Sequence, residues 1–234
     1  MFPPKRIVCL TEETVETLFL LEEDHRIVGV SDYAVRPPQM RKEKPLVSAF
    51  VSADVPRILV LEPDLVLAFS DLQANVVAEL IRACIAVHAF NQRNVDSIFA
   101  MIRTLGALVG SSVKADALAR SLESRLSHIR QESSSLAIKP RISFEERDEP
   151  MISGIGWVSE LIEAAGGVDV FAGLSRQKSA TERIVSHGQV IAAAPDIIIG
   201  SWCGKKFAPK SVSARAGFTD VPAVRNGFLR KIKS

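Results

Sequence analysis

Two stretches of this chain carry the same local pattern, and that repetition constrains the fold more than any other feature. Asp54-Val55-Pro56-Arg57-Ile58 leads to Pro63-Asp64 and then to Leu65-Val66-Leu67-Ala68. Ser186-His187-Gly188-Gln189-Val190 leads to Pro195-Asp196 and Ile197-Ile198-Ile199-Gly200, displaced by a constant 132 residues. In each copy a residue suited to cap a helix, Asp54 or Ser186, stands nine positions before the proline. A short helix fills the gap, the Pro-Asp ends it, and an apolar run follows. Such a run, bounded by breakers, reads as a strand buried on both faces of a parallel sheet. The first strand of each half repeats as well: Arg6-Ile7-Val8-Cys9 is answered by Arg141-Ile142-Ser143-Phe144. The pattern is that of a duplicated α/β unit.

The rest of the chain extends this reading. Ile27–Val30 and Val87–Phe90 add strands to the first half, with helices expected after Thr11, from Asp54 to Leu61 and from Gln73 to Ala83. From Asn94 the period changes. Val95, Ile98, Ile102, Leu105 and Val109 recur at three and four, the spacing of an amphipathic helix. A second helix is expected from about Ser112 to Glu132, with Leu118, Leu122, Leu126 and Ile129 on one side. At 1.5 Å per residue it spans roughly 30 Å, the width of a small domain. The expected architecture is α/β: two Rossmann-like lobes with parallel sheets joined by one long helix. The N-terminal lobe is placed at 1–110, the linker helix at 111–135 and the C-terminal lobe at 136–234.

Composition removes several classes of function. A net charge of +2, with no basic patch interleaved with aromatics, gives no footprint for nucleic acid. No apolar run approaches the roughly 18–20 residues of a membrane-spanning helix. Three scattered cysteines, Cys9, Cys84 and Cys203, do not suggest a disulfide framework. The chain as written carries no secretory leader, so a cytoplasmic location is expected for it, and a periplasmic one if a leader has been removed. A monomer is expected.

Ligands of open parallel sheets bind beyond the carboxyl ends of the strands. The segments there are Thr11-Glu12-Glu13, Ser31-Asp32-Tyr33, Phe69-Ser70-Asp71, Asn91-Gln92-Arg93, Glu145-Glu146-Arg147-Asp148-Glu149 and Ser201-Trp202-Cys203-Gly204-Lys205. All are polar, and several hold an aromatic ring. Facing lobes would bring them to one interlobe cleft, suited to a large, partly apolar ligand. Other chemistry is weakly marked. There is no Gly-x-Ser-x-Gly elbow and no glycine-rich phosphate loop. His25, His88, His128 and His187 lack ligand spacing, and no metal site is assigned. Glu145-Glu146 with Asp148-Glu149 could hold a hard cation, but a charged loop is the simpler reading. Cys203, beside Trp202 and Lys205, could be an activated thiol or a soft-metal ligand, although an ordinary loop cysteine is the simpler reading.

These residues resemble a known family, the single-helix-linked periplasmic binding proteins that deliver cobalamin, ferric siderophores or haem to ABC importers. The likeness is to the cobalamin-binding branch. It is carried by Arg6-Ile7-Val8, Gly29-Val30-Ser31 with Pro37-Pro38-Gln39, Val47-Ser48-Ala49-Phe50 through Arg57-Ile58, and Pro63-Asp64-Leu65-Val66. In the second half it is carried by Ser153-Gly154, Gly166-Gly167 with Phe171, and Val185-Ser186 with Gln189-Val190. The resemblance implies a non-enzymatic protein whose ligand, a corrinoid such as cobalamin, packs on aromatic rings and is cargo rather than cofactor. Phe50 stands where the cobalamin binder has a pocket tryptophan, Tyr33 matches an aromatic after the second strand, and Phe69 replaces another tryptophan. Trp157 and Trp202 are aromatics of this chain's own. Asp32, Asp71, Arg93, Glu145 and Lys205 complete the expected site as its polar margin. A ferric siderophore or haem is the alternative ligand. The alternative activity is a tetrapyrrole- or metal-handling enzyme with Glu145, Glu146 and Cys203 as its groups. The resemblance also implies an ABC permease as partner, docked through one glutamate per lobe. Pro56 and Gly188 occupy those positions, which argues against ordinary docking. The family usually adds a C-terminal helix beyond the point where this chain stops.

Overall fold

Ile7, Val8, Cys9, Leu10, Val66, Leu67 and Ala68 are all fully buried, as strands covered on both faces must be. They belong to a computed structural model that describes residues 2–49 and 51–232. The chain divides into two compact units, Met1–Gln92 with Asp96–Glu123, and Arg93–Val95 with Ser124–Ser234.

The first unit runs β1 (Ile7–Cys9), α1 (Glu12–Leu20), β2 (Ile27–Ser31), α2 (Pro38–Glu43), β3 (Leu46–Ser48), α3 (Val55–Val60), β4 (Leu65–Phe69), α4 (Ala74–Arg82) and β5 (Val87–Phe90). Its sheet has the order β3-β2-β1-β4-β5, and every pair is parallel. The register sets Ile7 opposite Ile27 on one side and Leu65 on the other. The strand order reverses at β1 and β4, and ligands of open parallel sheets bind at the carboxyl ends of strands at such a reversal. Val8, Leu10, Val47, Ile58, Val66 and Leu80 form one core cluster of this unit. Two longer helices follow, α5 (Val95–Leu108) and α6 (Ser112–Ser134). A Cβ on Gly106 would come within 2.1 Å of the Ala115 Cβ, so glycine is what lets these two helices cross so closely. Arg103 then ties α5 to α6, reaching Asp116 at 3.1 Å and Glu123 at 2.8 Å. The boundary between the units falls within α6, between Glu123 and Ser124.

The second unit runs β6 (Arg141–Asp148), β7 (Met151–Ser153), α7 (Gly156–Ala164), β8 (Val168–Asp169), α8 (Ala172–Ser175), α9 (His187–Ala193), β9 (Ile197–Gly200), α10 (Pro209–Ser213), α11 (Pro222–Arg225) and β10 (Leu229–Lys231). The sheet order is β10-β9-β6-β7, with β8 paired to the first part of β6. Parallel pairing dominates here as well, but β6 and β7 are antiparallel. This corrects the expected loop at Glu145–Asp148. Those residues continue the strand, with Glu145 opposite Ser153 and Asp148 opposite Met151. Hydrogen bonding to β7 is what keeps so polar a segment extended.

The duplication seen in the sequence is a repeated fastening in the structure. In the first unit the Asp64 carboxylate accepts from Lys5 N at 2.7 Å and from Arg6 N at 2.9 Å, while the Arg6 side chain donates to Leu61 O at 2.6 Å. In the second unit Asp196 accepts from Arg141 N at 2.8 Å, while the Arg141 side chain donates to Ala193 O at 2.9 Å. The helices before each Pro-Asp are capped alike: Asp54 accepts from Arg57 N at 3.0 Å, and Ser186 accepts from Gln189 N at 3.2 Å. Each clasp joins the amino ends of two neighbouring parallel strands and the carboxyl end of the helix that precedes the second of them.

Candidate functional site

At the carboxyl edge of the first sheet, the chain turns sharply after each strand. After β2, Asp32 N donates to Ser48 O at 2.8 Å and Tyr33 N donates to Ser31 Oγ at 3.3 Å. These bonds leave Asp32 exposed and Tyr33 half-buried. After β4, Phe69 N donates to Gln73 Oε1 at 2.9 Å, and Gln73 Nε2 donates to Leu10 O at 3.3 Å. The buried Gln73 thereby links the ends of β4 and β1 and sets Phe69, half-buried, and Asp71, exposed, at the edge. Ser70 between them holds φ at 53°, a conformation costly to a residue with a Cβ, and is kept there by its N–H donating to Phe90 O at 2.7 Å. Phe50 lies outside the described residues.

Beside these groups is an acidic pair within Thr11-Glu12-Glu13, one of the segments expected at the carboxyl ends of the strands. Glu13 Oε1 accepts from Thr11 Oγ1 at 2.8 Å and from Gln92 Nε2 at 3.2 Å. Burial pushes the Glu13 carboxyl above the usual range. Burial and the neighbouring Glu13 charge push Glu12 up to about 7.

In the second unit the segment after β9 runs beside β6. Ser201 N donates to Glu145 O at 3.0 Å and Cys203 N donates to Glu146 O at 2.8 Å. Glu145 is 1% exposed and is held by Arg215 at 2.6 and 3.1 Å and by the Trp202 indole N–H at 3.0 Å. The Trp202 ring is 3% exposed and meets Phe207 edge-on at 4.9 Å. Both residues were expected at a ligand-facing margin, and both lie in this unit's interior. A buried carboxylate must be paired and hydrogen-bonded, and these partners lie 57 and 70 residues away in sequence. Lys205 is exposed, 2.5 Å from the Asp148 carboxylate and 5.3 Å above the centre of the Trp202 ring. Trp157 is half-buried at the start of α7 and packs on the cluster of Ile142, Phe144, Ile155, Val158 and Ile162. Its N–H donates to Arg93 O at 3.0 Å. A Cβ on Gly156 would approach that carbonyl to 2.4 Å, so the preceding residue must be glycine for Arg93 to sit here. Val95 N donates to Glu160 at 2.8 Å and secures the same short segment.

Of the groups singled out for possible enzymatic chemistry, Glu145 and Glu146 are each paired with an arginine. Glu146 accepts from Ile155 N at 2.8 Å and pairs with Arg183 at 2.9 Å; burial still pushes its carboxyl upward against that pairing. Burial pushes the Cys9 thiol up to about 12, where it is inert near neutral pH. Among the described residues no group of three His, Cys, Asp or Glu side chains is placed to hold a metal ion, and no helix is long and apolar enough to cross a membrane. Sequence reasoning missed Gln73, Gln92, Arg183 and Arg215 as organisers of the two edges. Gln73 and Gln92 each follow closely on a strand, which was the available signal, whereas nothing local marked the two arginines.

With this geometry in hand, comparison with known proteins is decisive for the family. Residues 7–234 match the family described as periplasmic binding protein. The chain belongs to that family. A cobalamin-binding protein of Halobacterium salinarum is 25% identical to this periplasmic binding protein over 199 residues, 84% of this chain and 53% of the relative. The chain thus spans about half the length of that relative. Among solved structures, the periplasmic heme-binding protein RhuT from Roseiflexus sp. RS-1 superposes with a TM-score of 0.84 at 22% identity, covering 98% of this chain and 89% of the other. The periplasmic vitamin B12 binding protein BtuF of Vibrio cholerae gives 0.77 at 22% identity, with 98% and 88% covered. The two-unit α/β fold of this binding protein is therefore shared with binders of both tetrapyrrole types. Pro56 and Gly188 are each the second residue of their helix, α3 and α9, and both are exposed.

Proposed function

We propose that this periplasmic binding protein is the substrate-binding component of an ABC importer and that its cargo is a corrinoid such as cobalamin. The observation that carries the reading is the composition of the strand carboxyl ends. In the first unit half-buried Tyr33 and Phe69 accompany exposed Asp32 and Asp71, and in the second, half-buried Trp157 and Arg93 accompany exposed Lys205. A corrinoid offers broad apolar faces and a rim of amides, and this mixture suits both. Each ring contact adds about 0.5–1.5 kcal/mol beyond the area it buries. Phe50 joins this set by its place in the sequence. Glu145 and Trp202 serve from behind, by fixing the segment that carries Lys205. The relatives that bind cobalamin or vitamin B12 support the choice of cargo. A permease would have to grip something other than a charge at Pro56 and Gly188, so docking through an ion pair at these two helix starts is not expected. Calorimetric titration with cyanocobalamin tests the reading. Saturable heat that falls at least tenfold in affinity in Tyr33→Ala or Phe69→Ala supports it. Absence of heat at about a hundred micromolar ligand, a limit near −5.5 kcal/mol of binding free energy, removes the corrinoid, and haemin is then the next ligand to titrate.

A further inference from the structure

At the amino end of α1, two side-chain oxygens shut off from solvent have no hydrogen-bond partner among the protein groups, Glu12 Oε2 and Gln92 Oε1. Buried polar atoms in folded proteins are nearly always satisfied, so two orphans around the start of α1 need an explanation. Gln92 is tied to Glu13, the residue that follows Glu12. Gln92 spends its amide N–H on Glu13 Oε1 at 3.2 Å, which leaves its own oxygen as an acceptor. Glu12 is the neighbour of Glu13 in sequence, and an ionised carboxylate only accepts. The nearby cation, Arg36, is already 3.5 Å from Glu16. The group that would complete this place is therefore a donor. Gln92 is 8% exposed, whereas Glu12 is half-buried and keeps access to the carboxyl edge of the sheet.

Resting on the corrinoid reading above, we infer that Glu12 and Gln92 form a subsite that takes a primary amide N–H₂ on the ligand's rim and rejects a carboxylate in the same position. The chemistry separates two classes of cargo. Cobalamin carries primary amides around its ring, whereas haem ends in two carboxylates. A ligand carboxylate placed here would meet the ionised Glu12 as a like charge and would satisfy neither orphan oxygen. The subsite is thus a specificity device: it excludes acids by repulsion as well as attracting amides.

The test compares cyanocobalamin with a cobalamin monocarboxylic acid, in which one rim amide is a carboxylate, and with haemin. Titrations at pH 8 keep Glu12, whose carboxyl lies near 7, mostly ionised. The wild-type protein should prefer cyanocobalamin to the acid by about ten- to a hundredfold, and Glu12→Gln, which offers both a donor and an acceptor, should bring the ratio close to one. An unchanged ratio in Glu12→Gln, with cyanocobalamin still binding, overturns the subsite and leaves the corrinoid reading standing. Tighter binding of haemin than of cyanocobalamin overturns both. A ligand-independent measurement covers the case in which no tetrapyrrole binds. The Glu12 carboxyl carbon, assigned by its loss in Glu12→Gln, is followed by NMR as acetamide is added and, separately, acetate. A saturating shift with acetamide alone supports the subsite, and no shift, or the same shift with both, overturns it.

Discussion

The Arg215→Met variant isolates the interaction on which the second unit's edge depends. Among the described residues Arg215 gives the Glu145 carboxylate two of its three hydrogen bonds, and the side chains of the pair are 10% and 1% exposed. An exposed ion pair contributes only about 0–1 kcal/mol. Removing one partner of a buried pair costs about 3–5 kcal/mol, because an uncompensated charge is left inside. The Trp202 N–H still donates to Glu145, which places the loss near the lower end, about 3 kcal/mol. Both tryptophans, Trp157 and Trp202, lie in the second unit, so their fluorescence reports its unfolding. With a urea dependence of about 2 kcal/mol per molar, the midpoint should fall by about 1.5 M. The double variant Glu145→Gln/Arg215→Met removes the stranded charge and keeps an acceptor for the indole, so it should recover more than half of that loss. A midpoint shift below about 0.5 M, or a double variant no more stable than the single, would refute the buried-charge reasoning.

Two further outcomes are expected. Burial holds the Glu12 carboxyl near 7, above its value in an unfolded chain, so the native state binds more protons across the interval. Stability should therefore be highest below about pH 4.5 for this group and fall as pH rises to about 7, and Glu12→Gln should flatten that decline in urea titrations run across the range; an undiminished slope would show that Glu12 does not titrate there. In Gly200→Ala the new methyl would stand 1.8 Å from the Phe207 ring, so the second unit should lose about 1–3 kcal/mol through overpacking, read as a lower melting temperature in calorimetry.

The sheets were legible because their signals are local. Val87–Phe90 is a strand as expected, Val55–Val60 and Ala74–Arg82 are helices within a residue or so of their expected ends, and the Pro-Asp repeat marks the same clasp in both units. What could not be read depends on distant partners. Glu145-Glu146-Arg147-Asp148 looks like a charged loop until β7 folds back to pair with it. Trp202 looks like a ring at a binding edge until Glu145 and Phe207 close around it. The short strands β3, β8 and β10 have two or three residues each, too few for any periodicity to show. Gln92 shows the same limit from the other side: its place after a strand was visible, but its bond to Glu13, 79 residues earlier, was not.

The paired clasps at Arg6–Asp64 and Arg141–Asp196 have a consequence for how such a chain can change. Both fasten the beginnings of strands, and the groups proposed to face the ligand stand at the opposite ends. Strand alignment is thus secured away from the proposed site, and the turns at the far edge can exchange a ring for a charge, or an amide for an acid, without disturbing the register beneath them. A lineage built on this plan can alter its diet one loop at a time. That separation fits a fold shared with a heme-binding and a vitamin B12 binding protein, each 22% identical to this chain.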